Sequence, residues 1–554
     1  MKKYLMVIMI LLFLFLIGCN TGDGGGDEQK PVINYANVSE VTDSIDILYS
    51  DLESIKYSDE EVQEEIARIR SLYDALNDDE KALVNNYNNF MEIESNLEAY
   101  KKAEEEKAAE KLKVQNAVKA ATEVALNAIP TKNTGETIEL PNSYVSEDGI
   151  DVYIGWQTND PETIAVNGVV TQPRNSTVRV TLTAICRSGD VKETVKKTVA
   201  VGPLGYTELP KQPVFAYYYG SGQTALTEVE RKTINVINLS FGEIAEDGSV
   251  YVTTMNYAPV LQERKHGIRV MFSVQDKTGF QTWTADAAKR ERLAQAFLDT
   301  CEKYHFDGVD IDWEFPVGNE VANYVEFMKL LYNKFKTKSR NYLITSAMYG
   351  GQGASKYNAG ESCKYMDYVH LMTYDLNAPE KSTHLTALRT RSGAKEYPYY
   401  TNLSAESTVT HYIAQGVPKE KLVIGGAFYG KRYNLPAAGN EFLYQTPTQD
   451  PYTVTYRNIK NDFLSKIGAN DPNIKVIREW DEYAEAPYLC IYFYNADGSV
   501  RERAFITYDD AESMKLKTQY VIDEGIGGIM FWQLSEEDRT SNDLVGAIYD
   551  AMNK

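Results

Sequence analysis

Asp307-Gly308-Val309-Asp310-Ile311-Asp312-Trp313-Glu314-Phe315-Pro316 places acids at 310, 312 and 314 and large apolar side chains at 309, 311 and 313. Successive side chains of a strand point to opposite faces, so the run predicts a strand with one acidic and one apolar face. Carboxylates two residues apart on such a strand sit about 6 to 7 Å from each other. A solvated edge strand does not fit, because the partner face is apolar throughout. Crowded and buried, the acids repel one another and lose hydration. Both effects raise carboxyl pKa values, so some of these groups hold a proton near neutral pH. A carboxylic acid kept protonated can donate to a leaving oxygen, which is what general-acid catalysis requires. A hard-metal site of clustered oxygens is the alternative use of the same row.

Apolar runs that read as strands recur on both sides of this stretch. They are 214–219, 234–241, 268–274, 306–314, 342–348, 368–375, 422–429 and 526–533. Eight such runs in about 340 residues, alternating with helical stretches, predict parallel strands with crossover helices and most simply an eight-fold β/α (TIM) barrel over 208–554. Glu314 then falls at the C-terminal mouth, where active sites of that architecture lie. The gap after the seventh run is long. Residues 431–505, with strand-like Tyr488-Leu489-Cys490-Ile491-Tyr492-Phe493 and a turn at Asn495-Ala496-Asp497-Gly498, predict a small α+β insertion.

Two further regions precede the barrel. Residues 38–113 read as a helical spacer, with Val62, Ile66, Ile69, Leu72, Tyr73 and Leu76 forming one apolar stripe. Ser58 with Glu61 fits a capping box, and Asn77-Asp78-Asp79-Glu80 ends the run and caps a second helix. From Asp51 to Lys113 there are 18 acids and 9 bases, the reverse of a basic membrane-surface helix. Sustained a/d heptads are missing, which favours a solvated spacer over a partner-binding coiled coil. In 114–203, after a short helical stretch from Val118 to Ala128, Val178, Val180, Leu182 and Ala184 alternate with Arg179, Thr181 and Thr183, the pattern of a half-buried strand. Trp156, Asn159-Asp160-Pro161, Ile164 and Asn167-Gly168-Val169-Val170 make this segment resemble the small immunoglobulin-like β-sandwich domains of bacterial surface proteins. The resemblance implies a spacer, with Trp156 in its core.

At the start, Lys2 and Lys3 precede an apolar run from Tyr4 to Ile17 that is short for a membrane span of about 20 residues, the pattern of a secretory signal. Leu16-Ile17-Gly18-Cys19 resembles a bacterial lipobox, in which the cysteine is lipidated and becomes the new N-terminus. Residues 1–19 are thus expected to be a lipoprotein signal and 20–37 a flexible tether. The implied location is a bacterial cell surface or the extracellular space, held to the membrane by a lipid anchor only. Cys186, Cys301, Cys363 and Cys490 remain, all in apolar contexts that predict buried thiols.

Composition narrows the function classes. Acids outnumber Lys plus Arg by 79 to 57 across 554 residues, a formal charge of −22, so no nucleic-acid partner is expected. Five cysteines without a C-x-x-C pair and five histidines without H-E-x-x-H argue against a zinc ribbon and a zincin. Tyrosine is abundant, 40 against 18 Phe and 5 Trp. Rings with a polar tip suit wet, partly apolar surfaces such as sugar-facing grooves.

Asp307 to Glu314 resembles the D-x-x-D-x-D-x-E signature of glycoside hydrolase family 18, the chitinase family. Met372-Thr373-Tyr374-Asp375, Tyr508-Asp509-Asp510 with Ser513, and Gly528-Ile529-Met530-Phe531-Trp532 resemble its other motifs. The likeness implies retaining hydrolysis assisted by the substrate, an exception to the two-carboxylate scheme. In that scheme Glu314 protonates the glycosidic oxygen and the substrate's 2-acetamido oxygen attacks the anomeric carbon. Asp312 orients the acetamido group, and Asp310 shares a proton with Asp312. Tyr374 meets the acetamido oxygen, Asp375 contacts the sugar, Met372 belongs to the same binding surface, and Trp532 is the apolar floor. Tyr217 and Ser273 support Asp310, and Asp307 at the strand start is structural. No metal or organic cofactor is implied. The implied partner of this monomer is a polysaccharide or oligosaccharide containing N-acetylglucosamine.

Three positions depart from the family pattern. Ser273-Val274-Gln275-Asp276 stands where S-x-G-G is usual, Asn377-Ala378-Pro379-Glu380 lacks a frequent tryptophan, and Lys431 replaces a common arginine. They favour soluble oligosaccharides or another N-acetylglucosamine glycan over a long crystalline chitin track. The reading is an endo-acting hydrolase of β-1,4-linked N-acetylglucosamine glycans. The alternatives are an endo-β-N-acetylglucosaminidase on N-glycans, a peptidoglycan-directed enzyme, and a non-catalytic chitinase-like lectin.

Overall fold

A computed structural model describes residues 32–390 and 403–553. The lipobox at Cys19 and the tether up to residue 31 lie outside the described residues. Among the described residues no helix is long and apolar enough to cross a membrane.

The chain divides into two compact units. The first, through Ala117 with Glu147–Ile150, is helical. Its apolar stripe is buried as expected, with Ile66 and Ile69 packed among Val41, Ile45, Phe90 and Ile93. The Asn77/Glu80 capping box forms, and Glu80 also accepts from the Asn34 amide at 2.7 Å. The Ser58/Glu61 box does not: the helix Glu60–Asp74 starts after Asp59, without a side-chain cap bond. The helix after Asn77 is a single turn, Asp78–Lys81, and Tyr87 opens a 42-residue helix running to Ala128. The position between 113 and 114 therefore falls inside a continuous helix.

In the second unit, the β-sandwich expected before the barrel is realised as one five-stranded sheet. Its second layer is chain without a sheet, held by an isolated bridge between Ile164 and Val170. Those two residues and Ile138 bury Val180, Leu182, Val199 and Val201, and Trp156 packs partly buried against them. Trp156 donates its indole N–H to the Pro141 carbonyl at 2.8 Å.

The barrel follows in the same unit. Its strands are β1 (Val214–Tyr219), β2 (Val236–Ile244), β3 (Arg269–Val274), β4 (Gly308–Ile311), β5 (Leu343–Tyr349), β6 (Tyr368–Met372), β7 (Leu422–Ala427) and β8 (Gly528–Trp532). Neighbours pair in parallel, and β1 pairs with both β8 and β2, so the sheet closes on itself. Side chains alternate as the strand period requires. Phe215 and Tyr217 face the interior with Met271, Val423 and Met530, whereas Val214, Ala216 and Tyr218 face the outer helices. Gly308 is needed for a close approach, since a Cβ there would lie 2.0 Å from the Leu343 carbonyl oxygen. The insertion after β7 is a five-stranded antiparallel sheet spanning 429–508, with the helix Tyr456–Asp462. It begins two residues before and ends three residues beyond the expected 431–505. All four cysteines in the described residues are free and buried.

Candidate active site

Regular pairing in β4 stops at Ile311, short of the expected strand end at Glu314. The alternation nevertheless continues. The Asp312 amide donates to the Val274 carbonyl at 3.0 Å, which holds the segment against β3. Val309, Ile311 and Trp313 are wholly buried in the outer core. Asp310 and Asp312 are buried on the inner side, and Glu314 is half-buried at the mouth.

Parallel register assembles the support of Asp310. Ser273 on β3 and Thr345 on β5 are both direct partners of Asp310 across the sheet, so all three share one level of the interior. Ser273 Oγ donates to Asp310 Oδ2 at 2.7 Å, Tyr217 Oη donates to the same oxygen at 2.9 Å, and Thr345 Oγ1 donates to Oδ1 at 2.5 Å. His370 Nδ1 lies 2.9 Å from Tyr217 Oη. Burial pushes the His370 pKa down to about 4, so the ring is neutral, and its N–H can supply the tyrosine oxygen whose own proton goes to Asp310.

The next two acids behave differently. Burial pushes Asp312 well above the usual carboxylate range, and the charges of Glu314 and Asp310 add to the effect. Burial also raises Glu314, against hydrogen bonds from Gln275 and Asp312 that favour its ionised form. Asp312 shares its hydrogen bond with Glu314, not with Asp310 as expected. The reason is local: both oxygens of Asp310 are already supplied by three hydroxyls. Asp312 Oδ1 is buried and has no hydrogen-bond partner among the described residues.

The surrounding walls come from other strand ends. Tyr374 is buried after β6, its hydroxyl 3.9 Å from Met530 Sδ and its ring edge-on to Tyr429. Gly425 makes room for that ring, since a Cβ would come within 2.7 Å of it. Met372 is half-buried in the same cluster. Asp375 is exposed, with Lys431 Nζ 3.5 Å away. Trp532 is half-buried among Tyr217, Tyr219 and Phe241, nearly parallel to Phe241 at 5.5 Å. Asn377 turns from the mouth to donate to Tyr433 Oη of the insertion.

Asp307 is not brought to the mouth. It is wholly buried at the opposite end of β4, where Arg174 of the immunoglobulin-like region donates to its two oxygens at 2.5 and 2.8 Å and Arg264 lies 3.5 Å away. Thr345, His370, the Gln275–Glu314 bond and Arg174 went unread in the sequence. Thr345 and His370 were within reach, since both lie inside recognised strand runs. The others depend on which distant residue comes to face them.

Comparisons with known proteins cover the same ground. The family described as glycosyl hydrolases family 18 matches residues 214–537, and an atrophied bacterial Ig domain matches 116–204. Chitinase B of Serratia marcescens is 27% identical over 394 residues, which is 58% of this chain and 77% of that protein. Chitinase A1 of Niallia circulans is 32% identical over 312 residues, 51% of this chain and 42% of that protein. The structure of a family 18 N-acetylglucosaminidase from Paenibacillus barengoltzii is 27% identical at a TM-score of 0.52, covering 61% of this chain and 99% of that one. The family 18 match takes in more than half of the chain, from the first barrel strand to the loop after the eighth. On that extent the chain belongs to glycosyl hydrolases family 18, and it is a glycoside hydrolase.

Proposed function

We propose that this protein cleaves β-1,4-linked N-acetylglucosamine glycans, chitin or chito-oligosaccharides, by endo attack with retention and with the substrate's acetamido group as nucleophile. The observation that carries the reading is Asp312 Oδ1, buried without a partner among the described residues, beside a half-buried Glu314. A buried acceptor left open costs free energy, and an amide N–H of the substrate is the donor it lacks. With that N–H held, the acetamido oxygen attacks the anomeric carbon as Glu314 gives its proton to the departing glycosidic oxygen. The C–O bond breaks, leaving a positively charged oxazolinium ring and an ionised Glu314. Positive charge growing on the amide favours an ionised Asp312, which moves the shared proton towards Glu314 as it is needed. Water, losing a proton to Glu314, then bonds to the anomeric carbon from the side the leaving group left, and the oxazolinium C–O bond on the opposite side breaks to restore the acetamido group. Tyr374 meets the acetamido oxygen, Trp532 underlies the ring, and Asp375 and Met372 flank it. Two matched relatives bear the name chitinase, which supports the substrate class.

Colloidal chitin, chito-oligosaccharides and a high-mannose glycoprotein, incubated in parallel and read by mass, test this. Short oligomers from the first two are expected, with the β anomer formed first. Glu314→Gln is expected to lose turnover while still binding; unchanged turnover would remove Glu314 from the acid role. Release of monomer alone would move the reading to exo attack; the matched Paenibacillus structure is named an N-acetylglucosaminidase. Activity is expected to survive chelator, and its abolition would return the acid row to a cation. The reading places the enzyme at a bacterial surface through lipidated Cys19, so Cys19→Ala should release it from membranes.

A further inference from the structure

The reaction scheme leaves one neighbour of Glu314 unused. Gln275 Nε2 donates to Glu314 Oε1 at 2.7 Å. Both residues stand on fixed mounts. Gln275 follows Val274, whose carbonyl accepts from the Asp312 amide, and precedes Asp276, whose Oδ1 caps the helix Lys277–Thr284 through the Gly279 amide at 2.8 Å. A Cβ on Gly279 would fall 2.4 Å from Asp276 Oδ2, so that cap is closed. From the same helix Phe280 stacks on Trp313, with centroids 5.4 Å apart and planes 14° from parallel. The exits of β3 and β4 are thus tied twice, and the amide meets the carboxyl across the tie. Gln275 is itself exposed, and its carboxamide is bonded to Glu314.

We propose that Gln275 is a positioning residue for the catalytic acid: its carboxamide occupies one oxygen of Glu314 and so presents the other to the leaving group. The inference rests on Glu314 being the acid. A carboxamide carries both donor and acceptor, so it can serve the carboxyl in either protonation state. A lysine or arginine could only donate, and its charge would hold the group ionised where it must carry a proton. Among the described residues, the charged and titratable groups facing Glu314 are Asp312, Asp375 and the Tyr374 phenol, none of them a cation. The Gln275 donor favours the ionised form, so removing it shifts Glu314 towards higher pH.

Gln275→Met, Gln275→Glu and Gln275→Asn test the proposal. In Gln275→Met, kcat on a chito-oligosaccharide is expected to fall about tenfold, a fraction of what a general acid contributes. The alkaline limb of kcat/KM should move to higher pH, and further still in Gln275→Glu, where a like charge is added. Gln275→Asn, which keeps a shorter amide, should recover part of both effects. Carboxyl NMR titration of the resting protein, with the Glu314 signal assigned by its loss in Glu314→Gln, should show the same order without any turnover. An inactive wild type would count against the proposed function while this titration still judged Gln275. A Glu314 titration unmoved by Gln275→Met, or an alkaline limb unmoved in Gln275→Met and Gln275→Glu, overturns the proposal.

Discussion

The two ends of β4 carry the same chemical group in opposite settings. Asp307 is wholly buried between Arg174 and Arg264. Burial alone pushes its carboxyl up, but the charges of the two arginines outweigh that and hold it below the usual range. Asp312 and Glu314 lie only a few residues further on, and there burial pushes both carboxyls up, with no cation among the causes. Burial at both ends is heavy, so the counter-ion decides the sign. The lower end uses ionised carboxylate to bind the immunoglobulin-like region to the barrel, and the upper end raises the two carboxyls that the proposed mechanism uses to carry a proton. This matches the division of the architecture into a stabilising N-terminal face and a reactive C-terminal face.

The largest effect is expected where the proton is held. Asp312→Asn keeps the shape and imitates the protonated form, but it cannot ionise to stabilise positive charge on the substrate's amide. Turnover should fall on the order of 10²–10³, the cost of losing one preorganised group at a developing charge. Unfolding should move the other way. A carboxyl raised in the folded state destabilises increasingly as pH climbs from its unfolded value of about 4 through the raised folded one. Asp312→Asn should therefore match the wild type in melting temperature near pH 4 and exceed it at pH 8. A variant that melts below the wild type at pH 8 would mean that Asp312 does not bear the burial cost assigned here.

Next in size is the lower end. Arg174→Met strips Asp307 of two hydrogen bonds and one of its two counter-ions. Breaking a buried ion pair from one side typically costs about 3–5 kcal/mol, with the lower figure expected here because Arg264 stays. Adding Asp307→Asn should restore part of that loss, as a double-mutant cycle would read. Turnover well below the melting temperature should stay within a few-fold of wild type. An unchanged denaturation midpoint would show that the contact does not hold the two regions together. The acid side gives a smaller signal of known sign. The Asp307 contribution is complete above its unfolded value near 3.9 and is lost as pH falls through the depressed folded one. Asp307→Asn should thus flatten the acid limb of stability and leave the alkaline limb alone.

What could be read in the sequence follows the same division. The eight strands were legible because a strand buried on both faces is written as a continuous apolar run, and each of the eight observed strands overlaps its expected run. The acids at the mouth were legible because an alternating acidic row on an apolar strand has few other uses. Arg174 was not, because it meets Asp307 across 133 residues of chain and nothing local marks it. The pairing of Asp312 with Glu314 also escaped the reading. It follows from three hydroxyls on Asp310 that belong to three different strands. Helix boundaries slipped for a smaller reason: Ser58 and Asp59 both suit an N-cap, and the chain starts its helix from the second.

The smallest test concerns those hydroxyls. Among the described residues, Thr345→Val removes the only hydroxyl on Asp310 Oδ1, whereas Ser273→Ala removes one of two on Oδ2. Leaving a buried acceptor without one of its donors costs roughly 1–3 kcal/mol. Tyr217 still serves Oδ2 after Ser273→Ala, and Oδ1 is left only with the His370 ring at 3.7 Å after Thr345→Val. Thr345→Val should therefore be the costlier substitution, lowering kcat several-fold more than Ser273→Ala with KM little changed, because in the proposed mechanism Asp310 acts on the substrate only through Asp312. Equal losses would show that the two oxygens are exchanged freely and that Asp310 is not held in one orientation. A larger loss in Ser273→Ala would place the decisive support on the Tyr217 side and make that shared oxygen, not Oδ1, the one that keeps the row in order.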